Sequence, residues 1–258
     1  MAGGRWEPIY STAVGVGRAL FGFWRLKLKV VGAENLPAEG GAVFAITHFG
    51  YLDFALAEWI TWLQNRRRIR FLAKMPVFDK PLVGFFLRGM RHIPVDMTAG
   101  AGAYSAAIAA LKQGELIGVF PEAGVSASFA VRDLKTGTIR LAAEAGVPVI
   151  PMAIWGGQRL LTKNRKVKFF ERFGVPIRCA VGAPIVVNAE DDVVTATEHL
   201  RETLQSLINQ LQADYPVSGT GTWWQPRSLG GTAPTPTEAA TAEAERRKRR
   251  EAEEKLRH

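Results

Sequence analysis

Ala42-Val43-Phe44-Ala45-Ile46-Thr47-His48-Phe49-Gly50-Tyr51-Leu52-Asp53 runs from five consecutive apolar residues into a short turn, and Asp53 opens a helical stretch that continues to Gln64. An unbroken apolar run of this length is a strand buried on both faces, and the turn after it is where an α/β protein keeps its chemistry. Leu116-Ile117-Gly118-Val119-Phe120-Pro121-Glu122-Ala123-Gly124 repeats the pattern, an apolar run followed by a polar loop. Outward from these two strands, Leu28–Val31, Ile69–Ala73 and Arg91–Val95 also read as strands, and Pro81–Leu87 as a short helix. Helices are expected over Tyr104–Lys112, Thr136–Ala145 and Val193–Ala213, the first two stopped by Gly114 and Gly146. Val147–Trp155 is a strand interrupted by two prolines, which predicts an edge position or a bent end. Lys166–Val187 reads as two further strands. This alternation predicts an α/β fold with a mostly parallel, mixed sheet flanked by helices.

The spacing of His48 and Asp53 constrains what they can do. On one continuous helix, residues five apart are rotated by about 500° and point some 140° away from each other. A turn at Phe49-Gly50 instead lets the two side chains converge. A carboxylate on one imidazole nitrogen fixes the tautomer and leaves the other nitrogen as a base suited to activating a hydroxyl. Two readings stand at this point: a His–Asp base, or a helix cap at Asp53 beside a half-buried, satisfied histidine.

The ordered motifs bear on that choice. His48-x4-Asp53 and Phe120-Pro121-Glu122 resemble the first and third signature blocks of the glycerophospholipid acyltransferase family, which includes 1-acylglycerol-3-phosphate acyltransferases. Gly89-Met90-Arg91-His92-Ile93-Pro94-Val95-Asp96 is similar to the second block, and Val147-Pro148-Val149-Ile150-Pro151-Met152 to the fourth. Phe71-Leu72-Ala73-Lys74-Met75-Pro76 resembles the family's alanine–lysine stretch. The matches fall in order over roughly residues 25 to 190. The resemblance implies acyl transfer from a thioester, acyl-CoA or acyl-carrier protein, to a hydroxyl of glycerol 3-phosphate or lysophosphatidic acid. His48 would deprotonate the hydroxyl, Asp53 would steady the ring, and Glu122 would order the acceptor or its loop. Backbone N–H groups near Gly124 or at the start of the Asp53 helix are candidates for stabilising the oxyanion.

The departures concern phosphate. The family's third block carries an arginine where this chain has Val125, and the second often ends in one where this chain has Met97. Phosphate is best held by guanidinium forks or ammonium groups. Lys74, Arg91, Arg132 and Lys135 are the candidate replacements, with Arg132 and Lys135 preferred. An apolar channel for the acyl chain is expected, with Val83, Phe85, Phe86 and Leu87 as candidate wall residues.

The chain has 258 residues, 47% of them hydrophobic, and a net charge of +9, most of it outside the last 21 residues. Basic clusters at Arg25–Lys29, Arg66–Arg70 and Lys163–Lys168 suit an anionic membrane surface or anionic CoA. Nucleic acid is not expected as a partner, since no nucleic-acid motif accompanies the charge. Ile9–Trp24 is apolar but only 16 residues long and contains Arg18, below the roughly 20 residues that span a bilayer. It reads as a helix in the membrane interface or, equally, as one packed on the body. No secretory signal is evident, and the lone Cys179 fits a reducing compartment. A peripheral protein on the cytoplasmic face of the cell membrane is expected. The predicted organisation is an interface helix over 1–25, an acyltransferase domain over 26–213, and a linker with a flexible charged tail over 214–258, anchored by Trp223-Trp224. No metal and no cofactor beyond the acyl donor is expected. A non-catalytic lipid-binding module and an acyl-CoA thioesterase are the alternatives.

Overall fold

The computed structural model describes residues 7–96 and 101–255. Met97, the position of one missing arginine, lies outside the described residues. Among those described, strands β1 (Lys27–Val31), β2 (Ala42–Ile46), β3 (Ile69–Lys74), β4 (Ile93–Val95), β5 (Leu116–Val119), β6 (Val149–Trp155) and β7 (Pro176–Val181) form one sheet. Its order is β1-β7-β6-β2-β5-β3-β4. Neighbours run parallel except the β6–β7 pair. The sheet is therefore mixed and mostly parallel, as its sequence pattern predicts.

The alternation along β2 divides the core. Ala42, Phe44 and Ile46 face a layer holding helices α1 (Pro8–Phe23) and α2 (Asp53–Asn65), with Phe21, Leu56 and Ile60 packed against them. Val43 and Ala45 face the opposite layer, built by α5 (Ala101–Lys112), α6 (Gly137–Ala145) and α7 (Val193–Ala213). Between β3 and β4 run two short helices, α3 (Met75–Phe78) and α4 (Pro81–Gly89). α1 packs on the body through Tyr10, Val14 and Phe21, while Val16, Leu20 and Phe23 remain exposed. No helix among the described residues is long and apolar enough to cross a membrane.

Three expectations need correcting. β6 is not an edge strand: it lies between β7 and β2, and every residue in it is buried. Pro151 is tolerated because its nitrogen faces β7 where that ladder breaks. Pairing stops at Met152↔Val181 and resumes at the Val149↔Ile185 bridge, with one more residue on the β7 side. A bulge needs no N–H from the proline, whose carbonyl accepts from the Gly182 N–H at 2.8 Å. Lys166–Val187 holds one strand, not two; its first part makes a 3-10 turn at Phe169–Arg172. The Arg66–Arg70 cluster is largely turned inward. Arg67 donates to the carbonyls of Pro37, Gly40 and Gly114. Arg70 is buried between Glu7 and Glu115.

Beyond α7 the chain folds back onto the body. Tyr215 packs edge-on against Trp155, Trp224 is buried, and the Gln158 amide donates to the Trp224 carbonyl at 3.3 Å. Helix α8 (Pro236–Lys255) follows.

Candidate active site

β2, β5 and β6 are neighbours, and the segments leaving the carboxyl ends of all three meet at one place, as ligand sites do in open parallel sheets. The β2 segment carries His48 and Asp53. Asp53 is the first residue of α2, but its carboxylate turns back over the preceding turn rather than capping the helix. Its Oδ2 accepts from the N–H groups of Phe49 and Gly50, both at 2.8 Å, and lies 3.3 Å from His48 Nδ1. The reading of Asp53 as a helix cap is thereby excluded. With Nδ1 turned to the carboxylate, the Nε2 edge of the ring is the one left for other chemistry. The ring stacks on Phe120 with centroids 4.0 Å apart and lines an open cavity.

Burial raises the Asp53 carboxyl above its ordinary pKa, while His48 and the two amides act to lower it. Its second oxygen, Oδ1, is buried without a hydrogen-bond partner and faces Gly157. A Cβ on Gly157 would lie 2.5 Å from that oxygen, and one on Gly50 would lie 2.8 Å from the Gly157 carbonyl. The β2 and β6 segments thus approach more closely than any side chain allows. They are also stitched together: the Thr162 hydroxyl donates to the Phe49 carbonyl at 2.7 Å, and the Tyr51 N–H donates to the Leu161 carbonyl at 2.8 Å.

Glu122 braces the histidine from the other side. It is buried, and its Oε1 accepts from the His48 backbone N–H at 3.0 Å while Oε2 accepts from the Arg132 backbone N–H at 3.1 Å. The Ser126 N–H in turn donates to the His48 carbonyl at 2.8 Å. Glu122 therefore ties loop to loop rather than touching the imidazole. Burial pushes its carboxyl up to about 8, against the lowering effect of both amide bonds and of Arg132.

Lys74, Lys135 and Gly124 line the same cavity as His48. Arg132 borders an adjoining cleft with Glu122, and its guanidinium pairs with Glu243 at 3.3 Å. Arg91 is elsewhere. It pairs with Glu115 at 2.9 Å and with Glu7, at the amino-terminal edge of the parallel strands, because it precedes β4 rather than following it. Val83, Phe85 and Phe86 are exposed on α4, Leu87 is half-buried, and none of the four lines the His48 cavity. The amides of Phe49, Gly50, Tyr51 and Asp53 are all engaged, so among the two candidate sources of oxyanion donors these four amides are not available.

Sequence reasoning missed Lys163, which lines both the His48 cavity and the adjoining cleft. Its signal was the basic run 163–168, read as a membrane patch. It also missed Gly157, whose signal was a Gly-Gly pair directly after an apolar strand. Among the described residues, no group of three or more His, Cys, Asp or Glu could hold a metal ion.

The family model described as Acyltransferase matches residues 27–155. The chain is 33% identical over 189 residues to the 1-acyl-sn-glycerol-3-phosphate acyltransferase of Bacillus subtilis (strain 168), covering 71% of this chain and 89% of that protein. It is 24% identical over 186 residues to the Borreliella burgdorferi protein of the same name, covering 71% and 69%. The crystal structure of the 1-acyl-sn-glycerophosphate (LPA) acyltransferase of Thermotoga maritima has the same fold, with a TM-score of 0.66, 22% identity and 81% of each chain covered.

Proposed function

The chain belongs to the acyltransferase family, and from that premise we propose that it moves a fatty acyl group from a thioester, acyl-CoA or acyl-carrier protein, to the free hydroxyl of 1-acylglycerol 3-phosphate in phospholipid synthesis. The observation that carries this reading is the His48–Asp53 contact on the wall of an open cavity. Asp53 accepts from Nδ1–H and so holds the tautomer in which Nε2 carries a lone pair. Nε2 takes the proton of the acceptor hydroxyl as its oxygen attacks the thioester carbonyl. Backbone N–H groups of the Gly124 turn stabilise the resulting oxyanion. On collapse the C–S bond breaks, and the imidazolium returns its proton to the thiolate. The products are an ester and a free thiol, with no acyl-enzyme.

The acceptor phosphate needs positive charge close to His48. Lys135 and Lys163 lie where the cavity opens into the cleft, Arg132 borders the cleft, and Lys74 adds charge on the β3 side. These ammonium and guanidinium groups take over from the arginines the family places in its second and third blocks. Peripheral membrane association is supported by the α3–α4 segment. It begins immediately after Lys74 and exposes Leu82 (71%), Phe85 (57%) and Val83 (41%) beside Lys80 and Arg88.

The test is mass spectrometry of the products formed by purified protein with acyl-CoA or acyl-carrier protein and a panel of acceptors including lysophosphatidate and glycerol 3-phosphate. Phosphatidate formation, with thiol release that depends on the acceptor, is expected. Acceptor-independent thiol release would make the protein a thioesterase, and binding without turnover would make it a lipid-binding module; either outcome overturns the reading.

A further inference from the structure

Helix α8 closes one side of the cleft that adjoins the His48 cavity. Ala239 and Ala240 face the cleft, so the helix lies close, and Glu243 reaches across it. The Glu243 carboxylate bridges two cations of the body: Oε1 is 3.1 Å from Lys163 Nζ and Oε2 is 3.3 Å from Arg132 Nη1. These are two of the groups assigned above to the acceptor phosphate. A carboxylate shared between an ammonium and a guanidinium makes the contacts a phosphate monoester would make in its place.

We propose that α8 is an autoinhibitory strap, with Glu243 occupying the acceptor-phosphate subsite on Arg132 and Lys163 until the acceptor displaces it. The inference rests on the phosphate assignment made for those two cations.

The contact is weak enough to yield. Arg132, Lys163 and Glu243 are 36%, 23% and 42% exposed, and ion pairs of this exposure are worth little individually because water competes for both partners. It is local enough to compete: a tethered carboxylate is present at an effective concentration on the order of millimolar. The rest of α8 supplies little further hold. Arg227 pairs with Glu238 in its first turn, and Arg246 contacts the Asn164 side chain. Beyond Glu243 the helix runs Ala244-Glu245-Arg246-Arg247-Lys248-Arg249, in which alanine is the one apolar residue. The strap therefore competes with acceptor for binding and leaves the chemical step alone.

The experiment is steady-state kinetics of the full-length protein with lysophosphatidate, comparing wild type with Glu243→Gln and Glu243→Lys. Both variants are expected to lower the acceptor KM by about three- to tenfold, the range two partly exposed ion pairs allow, with kcat unchanged. Inorganic phosphate, used as a competitive inhibitor, should act on both variants at proportionally lower concentration. A helix that only stabilises the fold would lower kcat or Tm and leave KM unmoved or raised. Wild-type KM in both Glu243 variants, with KM raised in Arg132→Ala and Lys163→Ala, overturns the strap while leaving the phosphate assignment standing. Unchanged KM in Arg132→Ala and Lys163→Ala overturns the phosphate assignment and the strap with it.

Discussion

At the scale of single residues, the proposed chemistry is concentrated in one imidazole and the groups that hold it. His48 is fixed through its ring by Asp53, through its backbone N–H by Glu122, and through its carbonyl by the Ser126 N–H. Replacing the ring removes the base but none of the cations. His48→Ala is therefore expected to lower kcat by about 10²–10⁴-fold with little change in acceptor KM, as read by acceptor-dependent thiol release. Asp53→Asn should lower kcat by about 10²-fold or more, because an amide no longer selects the tautomer with a lone pair on Nε2. A His48→Ala protein with wild-type turnover would refute the assignment. The placement of His48, Asp53 and Glu122 at strand ends was legible from the apolar runs before them, while their choice as site residues came from the resemblance of the ordered motifs. The role of Glu122 as a brace between loops was not, since its partners are backbone N–H groups at His48 and Arg132 that no motif encodes.

At the scale of elements, the site depends on two glycines in different loops. Gly50 and Gly157 let the segments after β2 and β6 touch, and the contact seats Asp53 Oδ1. Gly157→Ala places a methyl group 2.5 Å from that oxygen, so the carboxylate must shift and the imidazole with it. The expected result is a kcat about 10- to 100-fold lower with acceptor KM retained, measured in the same assay. Unaltered kcat would show that Asp53 tolerates displacement. The long helices and the strands before Lys166 were readable from apolar runs and glycine stops, α7 to the residue; the segment Lys166–Val187 was not, since it holds one strand where two were expected. The edge alternative for β6 failed because proline was weighed as a missing donor without knowing which side its nitrogen faces. Pro151 directs it into a bulge, a fact that depends on where β7 stops pairing.

At the scale of the whole molecule, the charge and apolar surface suit the proposed lipid substrate. Lysine side chains rim the His48 cavity, and the exposed α3–α4 face begins right after one of them, Lys74. Leu82→Glu combined with Phe85→Glu is expected to weaken binding to phosphatidylcholine vesicles containing phosphatidylglycerol by about tenfold or more, measured by sedimentation. Binding unchanged from wild type would refute a membrane-contacting role for α4. The sequence by itself determined the α/β class and the strand ends that carry His48 and Glu122, because these follow from apolar periodicity; it offered the pairing of His48 with Asp53 as one of two local readings, favoured by the resemblance of the ordered motifs. Only the tertiary structure decided which cations stand near the imidazole, that Arg91 lies at the opposite edge of the sheet, and that Glu243 reaches Lys163 across 80 residues. Those outcomes depend on strand order and on how distant segments pack, and neither is written in local spacing.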